Sequence, residues 1–284
     1  MKDRIDPLIE ERAPWLFSDR PTVRPIRTLL DHVLGYDRTL AISRTIRDMP
    51  ATDIMAVMGE MLAKDVDVSG LSNLPRHGPA LIVANHPTGI ADGIILHHVL
   101  RQTRPDAYYF ANHDILRVLP QMGDMIAPVE WRKEKRSHGK TRETMAYARN
   151  AAEAGRLGVI FPSGRLAKRR GLRLHERPWM ASAAMIARKL DLPVIPIHMQ
   201  ARNSVLFYLF DLIHPTLRDI TLFHETLNKA RQPYRITIGE PISPSALPAR
   251  SEDGIEMLRR VTLGLGGDGV SMVDVTRKPS WLKV

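Results

Sequence analysis

The chain of 284 residues contains no cysteine. That excludes a disulfide framework, a cysteine-based zinc site and a thiol nucleophile. Aromatic residues make up only 6% of the chain. They are not interleaved with the basic runs, as a surface that stacks bases would require, and no nucleic-acid-reading motif is present. Uncharged apolar runs fall well short of the roughly 18 residues a spanning helix needs. The longest candidate, residues 205–213, is short and carries Asp211. The first residues, Met1-Lys2-Asp3-Arg4-Ile5-Asp6, mix charges and lack the apolar core of a signal peptide. No His-Glu-x-x-His helix and no carboxylate cluster at metal spacing occur, so no metal and no bound cofactor are expected. Ser163 does not sit in a Gly-x-Ser-x-Gly elbow, which argues against a serine hydrolase.

What is present is a core-forming composition with a strong basic surplus. Hydrophobic residues are 44% of the chain, enough for one large α/β domain with a helical extension. The net charge of +10 favours an anionic partner: nucleic acid, anionic lipid, a phosphorylated substrate or an acidic carrier protein. A basic but uncommitted surface is the competing reading.

Residues 1–25 hold Pro7, Pro14, Pro21 and Pro25 and read as an irregular arm. Between 26 and 65, apolar residues recur at helical spacing: Leu29, Leu30, Val33 and Leu34, then Ile54, Met55, Met58, Met61 and Leu62. This predicts a small helical N-terminal module, so that arm and module together span 1–70. An α/β domain is expected over 71–263, with strand and helix patterns alternating from Ala80 onward. Strands are expected at 80–84, 107–111, 125–129, 157–161, 193–199 and 234–238, and helices at 91–102, 114–119, 138–154, 177–190 and 252–263. The pattern predicts an α/β fold, a mixed and mostly parallel sheet flanked by helices. Residues 264–284 read as a C-terminal tail.

In such sheets chemistry collects on the loops at strand ends. The apolar run Ala80-Leu81-Ile82-Val83-Ala84 stops at Asn85-His86; Pro87 and Gly89 break regularity, and Asp92 precedes a new helical pattern. A carboxylate beside an imidazole fixes its tautomer and stabilises its protonated form, which makes a competent general base. The motif supplies no nucleophile, so the base would act on a hydroxyl brought by a substrate. The structural competitors are a core histidine and a helix-capping Asp92. A second strand, Gly158-Val159-Ile160-Phe161, ends in Pro162-Ser163-Gly164-Arg165, followed by Lys168, Arg169, Arg170 and Arg173. Arginine forks match phosphate and carboxylate geometry; a solvated basic loop is the alternative. A third strand, Pro193–Met199, leads to Arg202-Asn203-Ser204, which line a site or simply turn the chain.

Taken in order, Asn85-His86…Asp92, Phe161-Pro162-Ser163-Gly164-Arg165 and Pro193-Val194-Ile195-Pro196-Ile197 resemble the blocks of the glycerolipid acyltransferase superfamily, the PlsC-like lysophospholipid acyltransferases. The stretch from Arg202 to Tyr208 resembles its hemolysin-like branch, which includes ornithine-lipid acyltransferases. The blocks depart from the family in several places: Arg165 matches the family arginine only with a one-residue slip, and in Ile126–Arg132 the arginine comes one place late. His86 and Asp92 are separated by one residue more than the family's His-x4-Asp, and Ser163 stands where the family has Glu. The resemblance implies that His86 deprotonates a lysolipid hydroxyl, which attacks the acyl thioester of an acyl carrier protein or coenzyme A, with Asp92 orienting His86. It also implies that Asn85, Arg132, Ser163, Gly164, Arg165 and Asn203 contact substrate. The protein would work peripherally at the anionic inner face of the cell membrane, on the cytoplasmic side. Lyso-ornithine lipid and lysophosphatidic acid are the competing acceptors, and a lipid- or nucleic-acid-binding protein without catalysis is the alternative of another class. The extra residue makes one structural demand: the Gly89 loop must fold Asp92 back to His86.

Overall fold

The computed structural model describes residues 1–130, 137–267 and 272–275. The described strands are β1 (Val66–Ser69), β2 (Ala80–Ala84), β3 (Tyr108–Asn112), β4 (Ile126–Val129), β5 (Leu157–Ile160), β6 (Lys168–Arg170), β7 (Arg173–His175), β8 (Val194–Gln200), β9 (Tyr234–Ile238) and β10 (Met272–Asp274). Seven of them form one sheet in the order β1-β9-β8-β2-β5-β3-β4. Every neighbouring pair in it is parallel except β8 with β9. The expected mixed, mostly parallel sheet is therefore the observed one.

Strand β2 shows why this sheet is buried on both faces. All five of its residues are buried. Successive side chains point to opposite faces, so Ala80, Ile82 and Ala84 enter one core while Leu81 and Val83 enter the other. Each fully buried Ile, Leu or Val contributes about 1.5–3 kcal/mol of transfer free energy. The first core takes in α1 (Lys2–Arg12), α4 (Ala51–Leu62) and α5 (Ile90–Leu100), with Leu40 of α3 (Tyr36–Thr45). The second is closed by α7 (His138–Glu153), α8 (Ser182–Lys189) and α12 (Ser251–Gly264). Helix α2 (Val23–Val33) lies on the N-terminal helical layer, where Arg27 reaches over the Phe17 ring and pairs with Asp6 at 3.2 Å.

Several expectations are revised. Residues 2–12 are helical, not irregular. Pro7 removes a helical hydrogen bond, but Ile5 and Leu8 are buried in the first core and hold the helix there. The boundary at 70 falls just after β1, which pairs with β9 in the main sheet. The helix expected at 177–190 begins only at Ser182, because Pro178 keeps the preceding backbone extended. Within the tail, Met272–Asp274 pairs with β7. Residues 168–175 form a small antiparallel hairpin, β6–β7, that the basic run had concealed. Residues 205–213 form α9 (Val205–Ile213). Its Phe207 and Tyr208 pack on Leu174 of the hairpin, while Val205, Leu209, Leu212 and Ile213 are exposed. The short helices α10 (Pro215–Ile220) and α11 (Leu222–Leu227) follow, and α6 (Asp114–Val118) comes after β3.

Candidate active site

Parallel strands place their C-terminal ends along one edge. Strands β8, β2 and β5 are immediate neighbours, so the loops after them meet: Asn85–Gly89 after β2, Phe161–Gly164 after β5 and Ala201–Ser204 after β8. Strand β9 runs antiparallel to β8, which brings its first residue, Tyr234, to the same edge.

The His86 Nδ1 atom lies 2.9 Å from Asp92 Oδ2. Gly89 makes this possible. With φ at +114° it takes a backbone conformation other residues rarely adopt, and the chain reverses so that α5 starts directly beneath the loop. Asp92 sits in the first turn of α5 and is completely buried. Its Oδ2 also accepts the backbone N–H groups of Thr88 at 2.9 Å and Gly89 at 3.0 Å. Its Oδ1 accepts the Thr88 hydroxyl at 2.5 Å. The capping role and the histidine-orienting role thus belong to one carboxylate. Tyr234, fully buried, closes the far side: its hydroxyl is 2.6 Å from Thr88 Oγ1 and 3.5 Å from Asp92 Oδ1. Burial and the adjacent Asp92 charge push the Tyr234 phenol well above its ordinary range, so it stays protonated and can donate.

A carboxylate can only accept, so the imidazole proton belongs on Nδ1 and Nε2 carries the lone pair. The His86 ring stacks on Phe161, with centroids 4.4 Å apart and planes at 24°. Its side chain is 19% exposed, which leaves an edge open to a substrate. Nearby hydroxyls have other partners: Thr88 serves Asp92, and Ser163 donates to the Arg165 carbonyl at 2.8 Å. This arrangement can take a proton from a bound hydroxyl and has no obvious nucleophile of its own.

The other sequence-derived site residues divide in their placement. Asn85 is buried and bridges to β8, donating to the Met199 carbonyl at 2.9 Å and accepting its N–H at 2.7 Å; its amide acts as a strand clamp. Gly164, at φ +60°, makes the turn that returns its N–H to the Phe161 carbonyl at 2.9 Å. Arg165 is exposed beside this turn. Arg177, held by its Nε to the Leu166 carbonyl at 2.9 Å, has its guanidinium pushed down by burial and by the charges of Arg165 and Arg218. Three guanidinium groups therefore share this flank. Asn203 is buried and donates to the Thr88 carbonyl at 3.3 Å, while its own Oδ1 has no partner. Arg132 lies outside the described residues.

The loop carrying Asn203 is braced by a buried ion pair. Lys229 Nζ lies 3.0 Å from Glu225 Oε2, which also accepts the Ser204 N–H at 2.8 Å. Burial alone would raise Glu225, but Lys229 and Ser204 hold its carboxyl below the usual range, while burial pushes the Lys229 ammonium down against the pull of Glu225. Sequence reasoning did not assign roles to Thr88, Phe161, Tyr234, Glu225 or Lys229. Thr88 and Phe161 lay inside the quoted motifs. No sequence pattern singles out the other three, because only the fold brings them to the edge.

Residues 65–200 match the family model described as Acyltransferase. The chain is 23% identical over 244 residues to a lyso-glycine lipid O-acyltransferase of Phocaeicola vulgatus, covering 84% of this chain and 85% of that one. It is equally 23% identical, over 248 residues, to a lyso-glycine lipid O-acyltransferase of Bacteroides thetaiotaomicron, covering 84% and 87%. Its fold is similar to that of the 1-acyl-sn-glycerophosphate acyltransferase PlsC of Thermotoga maritima. The TM-score is 0.50 at 16% identity, covering 86% of this chain and 96% of that one.

Proposed function

We propose, from the premise that this chain belongs to the PlsC-like acyltransferase family, that it acylates the hydroxyl of a lyso-amino-acid lipid, such as lyso-glycine or lyso-ornithine lipid. The observation that carries the reading is the His86–Asp92 pair, with Nδ1 tied to a buried carboxylate and the imidazole 19% exposed. In the proposed reaction Nε2 takes the lysolipid hydroxyl proton as the oxygen attacks the thioester carbonyl. Asp92 balances the imidazolium that forms. The tetrahedral intermediate then expels the thiolate, which recovers that proton from Nε2, and the ester product and free thiol leave with the base restored.

The donor in this reading is an acyl thioester of an acyl carrier protein or coenzyme A. Both bring phosphate, and the carrier protein brings acidic surface. The flank of Arg165 and Arg177 suits those anions and the headgroup carboxylate of the acceptor, whereas Arg218 is already paired with Asp211 at 3.1 Å and Asp219 at 2.7 Å. Among the described residues no helix is long and apolar enough to cross a membrane. The exposed face of α9, with Val205 at 77%, Leu212 at 64% and Ile213 at 61% exposure, suits shallow contact with an anionic bilayer next to the Asn203 loop. The protein would thus act peripherally, at the inner face of the cell membrane.

The test supplies the purified protein with anionic vesicles containing lyso-glycine lipid, lyso-ornithine lipid or lysophosphatidic acid, each with an acyl-carrier-protein or coenzyme A thioester, and weighs the products by mass spectrometry. Acylation of an amino-acid lipid, lost in His86→Ala, is the expected outcome. A tenfold or greater preference for lysophosphatidic acid would overturn the headgroup assignment. Wild-type turnover in His86→Ala would overturn the general-base reading. Leu209→Asp with Leu212→Asp should cut co-sedimentation with anionic vesicles; unchanged binding removes α9 from the membrane contact.

A further inference from the structure

The β6–β7 hairpin brings a second carboxyl group to the histidine. Glu176 directly follows β7 and is only 8% exposed. Its Oε2 accepts the backbone N–H of His86 at 3.3 Å, and its Oε1 accepts the Trp179 indole N–H at 2.9 Å. At the other end of the hairpin, the Ala167 N–H donates to the His86 carbonyl at 2.9 Å. His86 is therefore gripped on both sides of its backbone by the two feet of one hairpin. A void of about 20 Å³, lined by Asn85, Pro87, Leu174, Glu176 and His198 among others, lies against this grip.

The chemistry of the two donors selects the residue type. The His86 amide and the Trp179 indole can only donate, so the side chain between them must accept on both oxygens. A carboxyl group can accept on both oxygens; Gln would turn its NH₂ group toward one of the donors. Burial is the largest influence and raises Glu176 above the usual carboxyl range, against the opposing pull of the Trp179 and His86 hydrogen bonds, the His86 ring and Ser163. The general-base reading does not call for this second acid, because Asp92 already orients the imidazole.

We infer that Glu176 is a positioning residue: through the His86 backbone N–H it sets the height of the histidine loop, and hence where Nε2 meets the substrate hydroxyl. The inference rests on His86 being the base. A base displaced by about an ångström loses on the order of 10²-fold in rate without loss of binding.

The experiment compares Glu176→Gln, Glu176→Asp and His86→Ala in the lysolipid acylation assay, and follows the His86 backbone amide by ¹H–¹⁵N NMR. Glu176→Gln is expected to lower kcat by about 10–100-fold with KM for both substrates changed less than about threefold. It should also move the His86 amide proton upfield, because the carboxyl acceptor has been lost. Glu176→Asp keeps a carboxyl group and should retain more activity than Glu176→Gln. It also serves as the measurement if the glutamine variant does not fold, in which case full wild-type kcat in it overturns the proposal. A wild-type kcat in Glu176→Gln, an unmoved His86 amide, or a change confined to KM likewise overturns it. If His86→Ala keeps wild-type activity, the underlying reading fails, and the amide shift alone then decides whether Glu176 holds this loop.

Discussion

Asp92→Asn separates charge from shape at the centre of the site. The carboxylate accepts at both oxygens, and the denser side is Oδ2, with Thr88 N–H, Gly89 N–H and His86 Nδ1 all within 3.0 Å. An asparagine with its carbonyl oxygen at that position keeps all three bonds. Its NH₂ then faces the Thr88 hydroxyl, which can accept from it and donate instead to Tyr234, 2.6 Å away. The loop should therefore keep its shape, and the perturbation reduces to the loss of one negative charge beside the imidazolium formed in the transition state. At about 4 Å and an effective dielectric near 20, that interaction is worth about 4 kcal/mol. At about 1.4 kcal/mol per decade of rate this corresponds to roughly 10²–10³-fold in kcat. The assay is lysolipid acylation under saturating acceptor and thioester, paired with a thermal melt to check the fold. A folded Asp92→Asn variant retaining more than a tenth of wild-type kcat would refute the electrostatic role assigned to Asp92.

Gly89→Ala places a Cβ in a left-handed backbone conformation, 3.2 Å from Leu166 Cδ2. It should cost about 1–3 kcal/mol and lower activity, read as a fall in Tm and in kcat together; an alanine variant with wild-type values would show that the loop does not need glycine. Lys229→Met leaves the buried Glu225 carboxyl without its cationic partner and should destabilise the protein by about 3–5 kcal/mol, with Glu225→Gln/Lys229→Met recovering a measurable part in denaturant titrations. His97 and His198 are buried and depressed by that burial to about 4 from an ordinary value of 6.5. A depressed histidine stays neutral in the folded state while the unfolded chain takes up a proton, so stability is full above about pH 6.5 and falls as pH drops toward 4. The loss approaches about 3 kcal/mol for each histidine. Melts between pH 7 and 4.5 should show this slope, and His198→Leu should flatten it; an unchanged slope would mean His198 is protonated in the folded state.

The clearest parts of this protein in the sequence were those whose physics is local. The five-residue apolar run of β2 reads as a strand buried on both faces, because its neighbours in the chain contain every signal needed. The Asn85-His86 stop, the Pro87 and Gly89 breaks and the following helical pattern put a histidine and a carboxylate on one strand-end loop. The parallel character of the sheet followed from alternation of strand and helix. Less local features were misjudged. The helix at Lys2–Arg12 is masked by Pro7 and is held by tertiary burial of Ile5 and Leu8. The hairpin that grips His86 is concealed under a basic run whose composition suggests an anion-binding or solvated loop and no strand.

By itself the amino-acid order determined the candidate base, the strand end that bears it and the glycine that lets the chain turn. It could not determine whether Asp92 reaches His86, because a longer spacing is compatible with several loop paths. Tertiary structure decided that by closing the loop onto the first turn of α5, where two backbone N–H groups and one hydroxyl fix the carboxylate. It also decided who else stands at the site. Tyr234 arrives because β9 runs antiparallel to β8, and Glu176 because a hairpin folds back under the loop. Tertiary structure also tied the Asn85 amide to the Met199 backbone on the neighbouring strand. Contacts between residues far apart in the chain depend on strand order and on exceptions to the parallel run such as β9, and no spacing rule in the sequence encodes either.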